Sequence, residues 1–432
     1  MAMRVLVLGG YGLIGGEILN ALASVGFETA GMGRDAELGR RLHPASVWFS
    51  ADIAKLDTAA SWSPFLQGVD AVVNAAGALQ DGPRDHLHAL QKAFEACIAA
   101  AERAGVRRFV QISAPGASAD ATTEFYRTKA AADAALRASR LDWVIFKPGL
   151  VISRNAYGGT ALVRMLAGVP FVSPLAHADA RLQTVAAEDV ASAVVKALQG
   201  AAPLRADYDL VEGAPHTLRH IVNSFRRWLG VKPAVLELSL PDWTAKGVAF
   251  IADVAGALGW RSPLRSTALK AISEGVLGDP SAWRAATGST MKTLEETLAA
   301  NPSTLQERIF ARAQLALPIA VATLALFWIA SGVIGLVSLD AAAQHLVSAV
   351  GEARAKPLAF AGAVLDIAIG TGLLVRATAR RAALASIAVA AFYLAAGTLL
   401  VPALWLDPFG ALLKVIPAMV LAFSVALLLE ER

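Results

Sequence analysis

Arg4-Val5-Leu6-Val7-Leu8-Gly9-Gly10-Tyr11-Gly12-Leu13-Ile14-Gly15 sets the reading of the first half of the chain. A short apolar run, Arg4 to Leu8, stops at glycine. From Gly15 to Val25 the spacing turns helical, with Ile14, Ile18, Leu19 and Leu22 on one face. Glu28 to Met32 then reads as a second strand. A pyrophosphate needs backbone N–H groups at close range and the positive end of a helix. Gly9 permits the tight turn, Gly12 lets the backbone approach the ligand, and Gly15 lets the helix pack closely. Gly10, Tyr11, Leu13 and Ile14 complete the cradle. A Gly-x-x-Gly-x-x-Gly pattern alone is weak; the strand before it and the helix after it give it force.

Outward from this turn, buried strands are expected at Ala71–Asn74, Arg108–Ser113, Trp143–Lys147 and Tyr208–Val211. Alanine-rich helical stretches at His86–Ala104 and Thr128–Ser139 separate them. The alternation predicts an α/β Rossmann fold over residues 1–230, a doubly wound parallel sheet with helices on both faces. Residues 231–308 carry Pro233, Pro241, Pro263, Pro280 and Pro302 between short helical pieces, and read as a helical cap and connector.

Of 432 residues, 56% are hydrophobic and only 17% charged, against about 25% charged in ordinary soluble domains. Charges are spread normally as far as Arg312 and then nearly vanish. Four apolar segments follow, at about 315–337, 358–375, 382–404 and 411–429. Each approaches the roughly 20 residues that cross a bilayer. They lack the polar face that a buried soluble bundle would keep. Residues 309–432 are therefore expected to form an all-α four-helix transmembrane bundle.

Arg308, Arg312, Arg376, Arg380, Arg381 and Arg432 fall on one side of these spans, Arg354 and Lys356 on the other. The positive-inside rule then puts both termini in the cytoplasm of a multi-pass inner (plasma) membrane protein. The opening MAMRVLVLGG has neither the length nor the cleavage site of a signal peptide, in keeping with that orientation. A net charge of +4 with no basic run gives no reason to expect nucleic acid. The single cysteine, Cys97, excludes a disulfide within the chain and a cysteine-based metal site. His216-x-x-x-His220 and His86/His88 lack a third ligand and are read as non-metal.

The end of the second strand bears on which dinucleotide is held. A carboxylate there would bind the ribose 2′-hydroxyl of NAD. The sequence has Gly33-Arg34-Asp35 instead. A guanidinium at Arg34 can pair a 2′-phosphate, which favours NADP(H), with NAD as the alternative.

With the glycine turn go Asp52-Ile53, Asn74-Ala75-Ala76-Gly77, Ser113, Lys129 and Lys147-Pro148-Gly149, in that order along the chain. As a set they resemble the atypical branch of the short-chain dehydrogenase/reductases, over about residues 3–300. That branch includes NmrA-like sensors and the accessory subunit of respiratory complex I. The resemblance implies that Asp52 and Ile53 flank the adenine, and that Ala75, Ala76, Gly77, Lys129 and Pro148 line the cofactor. It also implies a catalytic Ser, Tyr and Lys, with the Tyr four residues before the Lys. Ser113 and Lys129 match. The position four before Lys129 holds Phe125, while Tyr126 stands three before it. Tyr126 either substitutes with a shifted backbone or points elsewhere. Lys129 holds the ribose or is a plain solvated lysine. Ser113 orients a carbonyl or satisfies the strand end.

In the apolar half, Asp366 lies mid-span, where an ionisable group is costly and usually has a task. Gly362, Asp366 and Gly370 recur every four residues and suit close helix packing. Lys414 either snorkels outward or reaches Asp366, and Asp407-Pro408 is expected to start the fourth helix. Trp328 with Ser331-Gly332, Asp366 with Gly370, Tyr393, Pro402, Trp405, and Asp407-Pro408-Phe409-Gly410 leading to Lys414 resemble the DoxX-like membrane family. That resemblance implies a theme of quinone-linked membrane redox systems.

Three functions are consistent with these readings. One is an oxidoreductase moving hydride between NADP(H) and a quinone-like or lipid-like molecule. Another is a sensor that holds NADP(H) and biases the bundle or a respiratory-chain partner. The third, nucleotide-sugar epimerase or dehydratase chemistry, suits the superfamily but not Phe125.

Overall fold

A computed structural model describes residues 2–82, 85–408 and 410–429. Phe409 and Arg432, used above, lie outside the described residues. The chain divides into two compact units, one of Met1–Asp253 with Ser262–Arg308, the other of Val254–Arg261 with Ile309–Arg432.

The first unit is built on β1 (Arg4–Leu8), β2 (Glu28–Gly33), β3 (Val47–Ser50), β4 (Ala71–Asn74), β5 (Arg108–Ile112), β6 (Asp142–Pro148) and a last strand, Ala206–Leu210. They form one seven-stranded sheet in the order last strand, β6, β5, β4, β1, β2, β3. Every pairing in it is parallel. Period-two alternation supplies both faces. Val5, Val7, Ala71, Val73 and Val144 enter one buried cluster. Leu6, Leu8, Val72, Phe109 and Ile145 enter the other. The sheet is thus covered on both sides, as a parallel sheet requires. Helices α1 (Leu13–Ser24), α2 (Ala36–Leu42), α3 (Ala59–Leu66), α4 (Leu87–Ala104) and α5 (Glu124–Ala138) provide most of the crossovers. The strand order reverses between β1 and β4, which opens a crevice at their carboxyl ends where such folds bind ligands.

Among the described residues three helices are long and apolar enough to cross a membrane, Leu305–Val337, Glu352–Leu374 and Arg376–Leu400, and they make up most of the second unit. The fourth expected span is shorter than the sequence suggested. Its helix, Val415–Leu428, has 14 residues, below the roughly 20 a span needs. Asp407-Pro408 does not start it. Instead Gly410, at φ +64°, is followed by a turn, and Pro417 sits in the helix's first turn. An unexpected 12-residue helix, Leu339–Val350, occupies the segment after the first long helix. Close packing of the first two long helices depends on glycine. A Cβ on Gly332 would stand 2.4 Å from the Ala363 carbonyl oxygen, and one on Gly370 2.9 Å from that of Ala325.

Candidate functional site

The glycine turn is held by its own backbone. Gly9 and Gly10 donate their N–H groups to the Met32 carbonyl at the end of β2, at 3.0 and 3.2 Å, and Gly12 N–H donates to Gly9 at 2.9 Å. Gly9 adopts φ +71°, and a Cβ there would stand 2.9 Å from Ala76 Cα. The loops after β1 and β4 therefore touch through a residue that has to be glycine. A Cβ on Gly15 would come 2.2 Å from the Gly9 carbonyl oxygen, so the helix packs directly on the turn. The N-terminus of α1 has no side-chain cap and no acidic residue in its first turn. Its leading N–H groups are left for water or for an anion.

On the β4 side, Asn74 is fully buried. Its amide donates to Gln111 Oε1 at 2.9 Å and its carbonyl oxygen accepts from Ala76 N–H at 3.1 Å. This fixes Ala75, Ala76 and Gly77 against the glycine turn. Pro148 closes β6 opposite Leu210. Asp52 precedes a single 3-10 turn, Ile53–Lys55, and Ile53 is buried in the core.

At the end of β2 the Tyr11 ring covers Gly33, and Asp35 N–H donates to the Tyr11 hydroxyl at 3.3 Å. Asp35 caps α2 by accepting from Leu38 N–H at 2.9 Å. That gives Asp35 a local structural task. Arg34 is about two-fifths exposed and pairs with Asp85 at 3.1 Å. Its guanidinium stands at the strand end with a carboxylate as its partner.

Ser113, Tyr126 and Lys129 each find a different partner. Ser113 donates its hydroxyl to Asp133 at 2.5 Å. Lys129 donates to the Ile112 carbonyl at 2.8 Å. Burial lowers the Lys129 pKa to about 8, against the opposing pull of Asp133. Tyr126 is buried on α5, its ring beside Phe125 and near Gly116. Burial, and next the Glu274 carboxylate, push its phenol upward. Phe125 is the residue that shares a small, mostly apolar pocket with Lys129, together with Gly77, Ala78, Leu90 and Phe94. Phe125, four residues before Lys129, lines the pocket with it, while Tyr126, about 100° further round α5, does not.

Asp133 escaped the sequence reading. It sits one turn beyond Lys129 on α5, buried, and burial raises its pKa while the Ser113 hydrogen bond lowers it. Its i+4 spacing from Lys129 was the available signal. The histidine pair is engaged elsewhere. His216 and His220 stack at 4.7 Å, with His216 on Glu212 and His220 on Glu295. Glu212, fully buried, also accepts from Thr184 N–H and hydroxyl at 2.8 and 2.6 Å and from Leu294 N–H at 2.9 Å. This ties the last strand's exit to later helices.

In the second unit Asp366 is buried and turned inward. It accepts from the Ser331 hydroxyl at 2.8 Å and the Tyr393 hydroxyl at 3.0 Å. The carboxylate therefore joins all three long helices. Lys414 is exposed, so the reading in which it reaches Asp366 gives way to this hydroxyl pair.

Comparison with known proteins follows this division. Residues 9–201 match the family model described as NAD(P)H-binding, and residues 325–423 match the DoxX-like family. No curated protein gives a significant match. Among solved structures, the Citrobacter sp. triphenylmethane reductase complexed with NADP(H) superposes with a TM-score of 0.54 at 17% identity, covering 69% of this chain and 100% of that one. The UDP-glucose 4-epimerase of Thermotoga maritima, with UDP-glucose, gives 0.53 at 15% identity, with 71% and 100% covered. The Bordetella bronchiseptica enzyme WbmH in complex with NAD+ gives 0.52 at 21% identity, with 69% and 97% covered. At such identities the likeness is one of fold. The chain thus carries one segment that matches the NAD(P)H-binding model, residues 9–201, and a second that matches the DoxX-like model, residues 325–423.

Proposed function

We propose that this protein is a membrane-integral, NADP(H)-dependent oxidoreductase whose hydride acceptor is a flat apolar molecule of quinone type. The observation that carries the reading is the pairing of Lys129 with Phe125 on the wall of one apolar pocket beside Gly77. Gly9 to Gly15 and the open start of α1 would hold the pyrophosphate. Arg34 would exchange Asp85 for the 2′-phosphate, and Lys129 would donate to the nicotinamide ribose. The cofactor supplies the hydride.

Phe125 decides which acceptors are reasonable. Reducing a simple carbonyl builds an alkoxide that needs a proton in the transition state, hence a phenol or similar acid. A quinone that accepts hydride becomes a hydroquinone anion whose charge is delocalised, and it takes its proton from water afterwards. Gly9 to Gly15, Arg34 and Lys129 would hold the NADPH that supplies both electrons and the proton of that hydride. Chemistry of this type runs without the missing phenol, whereas epimerase or dehydratase chemistry does not. The apolar tail supports the same choice, because it would keep the domain where such acceptors dissolve. In this reading the N-terminal unit faces the cytoplasm, following the arginines at 308, 312, 376, 380 and 381.

The test is turnover by the purified full-length protein in detergent. NADPH is mixed with a short-chain ubiquinone analogue and oxidation is followed at the reduced-nicotinamide band. Activity lost in Lys129→Ala and kept in Tyr126→Phe supports the proposal. Tight NADPH binding with no turnover on any quinone would favour the second reading, a cofactor sensor that biases the helices or a respiratory partner. The hydrogen bond from Ser113 to Asp133, which leaves that hydroxyl committed, is the observation that favours it.

A further inference from the structure

The helix Asp242–Ala257 is inside out for a protein in water. At about 100° per residue, Trp243, Phe250, Ile251 and Val254 fall on one stripe, and Ala245, Ala249, Ala252 and Gly256 on the opposite one. The small residues are the buried ones. The large ones are exposed, Trp243 by 74%, Phe250 and Ile251 by 70% each, and Val254 by 48%. A water-facing helix would show the reverse pattern. A contiguous exposed patch of this kind marks a surface that something covers.

The end of the same helix leads to one occupant. Val254–Arg261 belongs to the unit that holds the three long apolar helices. There Trp260 donates its indole N–H to the Leu374 carbonyl at 2.7 Å, and Arg376 N–H donates to the Leu258 carbonyl at 3.0 Å. The Arg376 guanidinium lies 5.7 Å from the centre of the Trp260 ring. Leu374 ends one long helix and Arg376 begins the next. The helix therefore runs on, through Leu258 and Trp260, to the turn that joins two membrane-length helices. Arg261, Arg380 and Arg381 are exposed around that point. Trp and Phe on an outward face beside cations are the composition of a helix that lies in a bilayer's interface.

We infer that Asp242–Ala257 is an interfacial helix whose Trp243–Phe250–Ile251–Val254 stripe is buried among lipid headgroups and upper acyl chains. This rests on the reading of the second unit as membrane-integral.

The test uses the full-length chain in vesicles of phosphatidylcholine and phosphatidylglycerol. Cys97, the sole and buried cysteine, is replaced by alanine. Single cysteines are then introduced as Phe250→Cys, Ile251→Cys, Lys246→Cys on the polar edge, and Phe392→Cys in the middle of a long helix. Each is labelled with a small fluorophore, and quenching by lipids brominated at shallow or deep acyl positions is measured. The expected result is shallow quenching at 250 and 251 several-fold above that at 246, with deep quenching at 392. Quenching at 392 but none above the 246 level at 250 and 251 overturns the inference and leaves the membrane reading standing. Labels at 250 shielded from both lipid and iodide would overturn it in favour of a second copy or another protein. Silence at 392 would overturn both.

Discussion

Tyr11 lies across Gly33, so that a Cβ on Gly33 would stand 2.3 Å from the edge of the Tyr11 ring. The place where an NAD-selective site carries its acidic residue is thus occupied by an aromatic ring from the glycine turn. Gly33→Asp has to push Tyr11 away from Trp48, its ring neighbour at 5.9 Å. Overpacking of this kind costs about 1–3 kcal/mol. The single variant is expected to melt several degrees below the parent, and Tyr11→Ala in addition to recover part of the loss. Thermal unfolding in detergent, followed by tryptophan emission, checks this. An unchanged melting curve for Gly33→Asp would mean that Tyr11 packs elsewhere.

Removing the guanidinium next door addresses cofactor choice. A hydrogen bond to a charged group contributes about 1.5–3 kcal/mol, so Arg34→Ala should lower the NADPH-to-NADH affinity ratio by tenfold or more. NADH affinity itself should barely move. Fluorescence titration of both nucleotides measures the ratio, and a ratio unaffected by the substitution removes Arg34 from 2′-phosphate recognition.

Most of the sheet was legible because its strands are short apolar runs, with β1, β2, β4 and β6 closed by glycine, asparagine or proline, and the glycine turn fixes where the first one ends; Val47–Ser50 was not among the expected strands. Gly9 and Gly15 were legible for the same reason, since their roles follow from backbone geometry. Asp133 was not, because a lone acid on a polar helix face looks solvated until the fold turns that face toward Ser113. Nor could hydropathy separate the three long helices from Val415–Leu428. The apolar run from 411 to 429 is long enough to cross, but Gly410 and Pro417 delay the helix to Val415. The stripe of Trp243, Phe250 and Ile251 was hidden too. Without the fold, an apolar residue on a short helix is assigned to the core.

In the proposed site Lys129 gives nucleotide binding a pH dependence of definite sign. Its pKa is lowered by burial from 10.5 to about 8. Between these values the unfolded chain holds the proton more tightly, so this group's contribution to stability rises with pH across that window. The charge available to the ribose falls over the same range. NADPH affinity is therefore expected to decline as pH passes upward through about 8, and to stay flat in Lys129→Arg. Titrations between about pH 6.5 and 9.5 decide it, and a flat parent profile would dissociate Lys129 from the cofactor.

Asp366 is expected to act as a clasp for the helical unit. Hydrogen bonds between membrane helices contribute about 0.6 kcal/mol on average and up to about 1.7. Ser331→Ala and Tyr393→Phe should each cost about that much, and Asp366→Leu more than either. Because both hydroxyls share one carboxylate, adding Ser331→Ala to Asp366→Leu should cost almost nothing further. Denaturation of the full chain in mixed detergent measures these differences. Additive losses would show that Ser331 and Asp366 act independently.

Phe125 supports the most direct test of the chemistry. It stands four residues before Lys129 and lines the same pocket, which Tyr126 does not. Phe125→Tyr adds a phenol where Lys129 can lower its pKa, and so supplies the acid that simple carbonyl reduction requires. General acid catalysis contributes typically 10²–10⁴-fold. The variant should therefore gain activity on a small ketone or aldehyde by about tenfold or more, with little change on a quinone. Tyr126→Phe should alter neither. Stopped-flow oxidation of NADPH with both acceptor classes reads the split. A gain on neither acceptor, together with loss in Tyr126→Phe, would return the acid's role to Tyr126 and overturn the assignment of that face to Phe125.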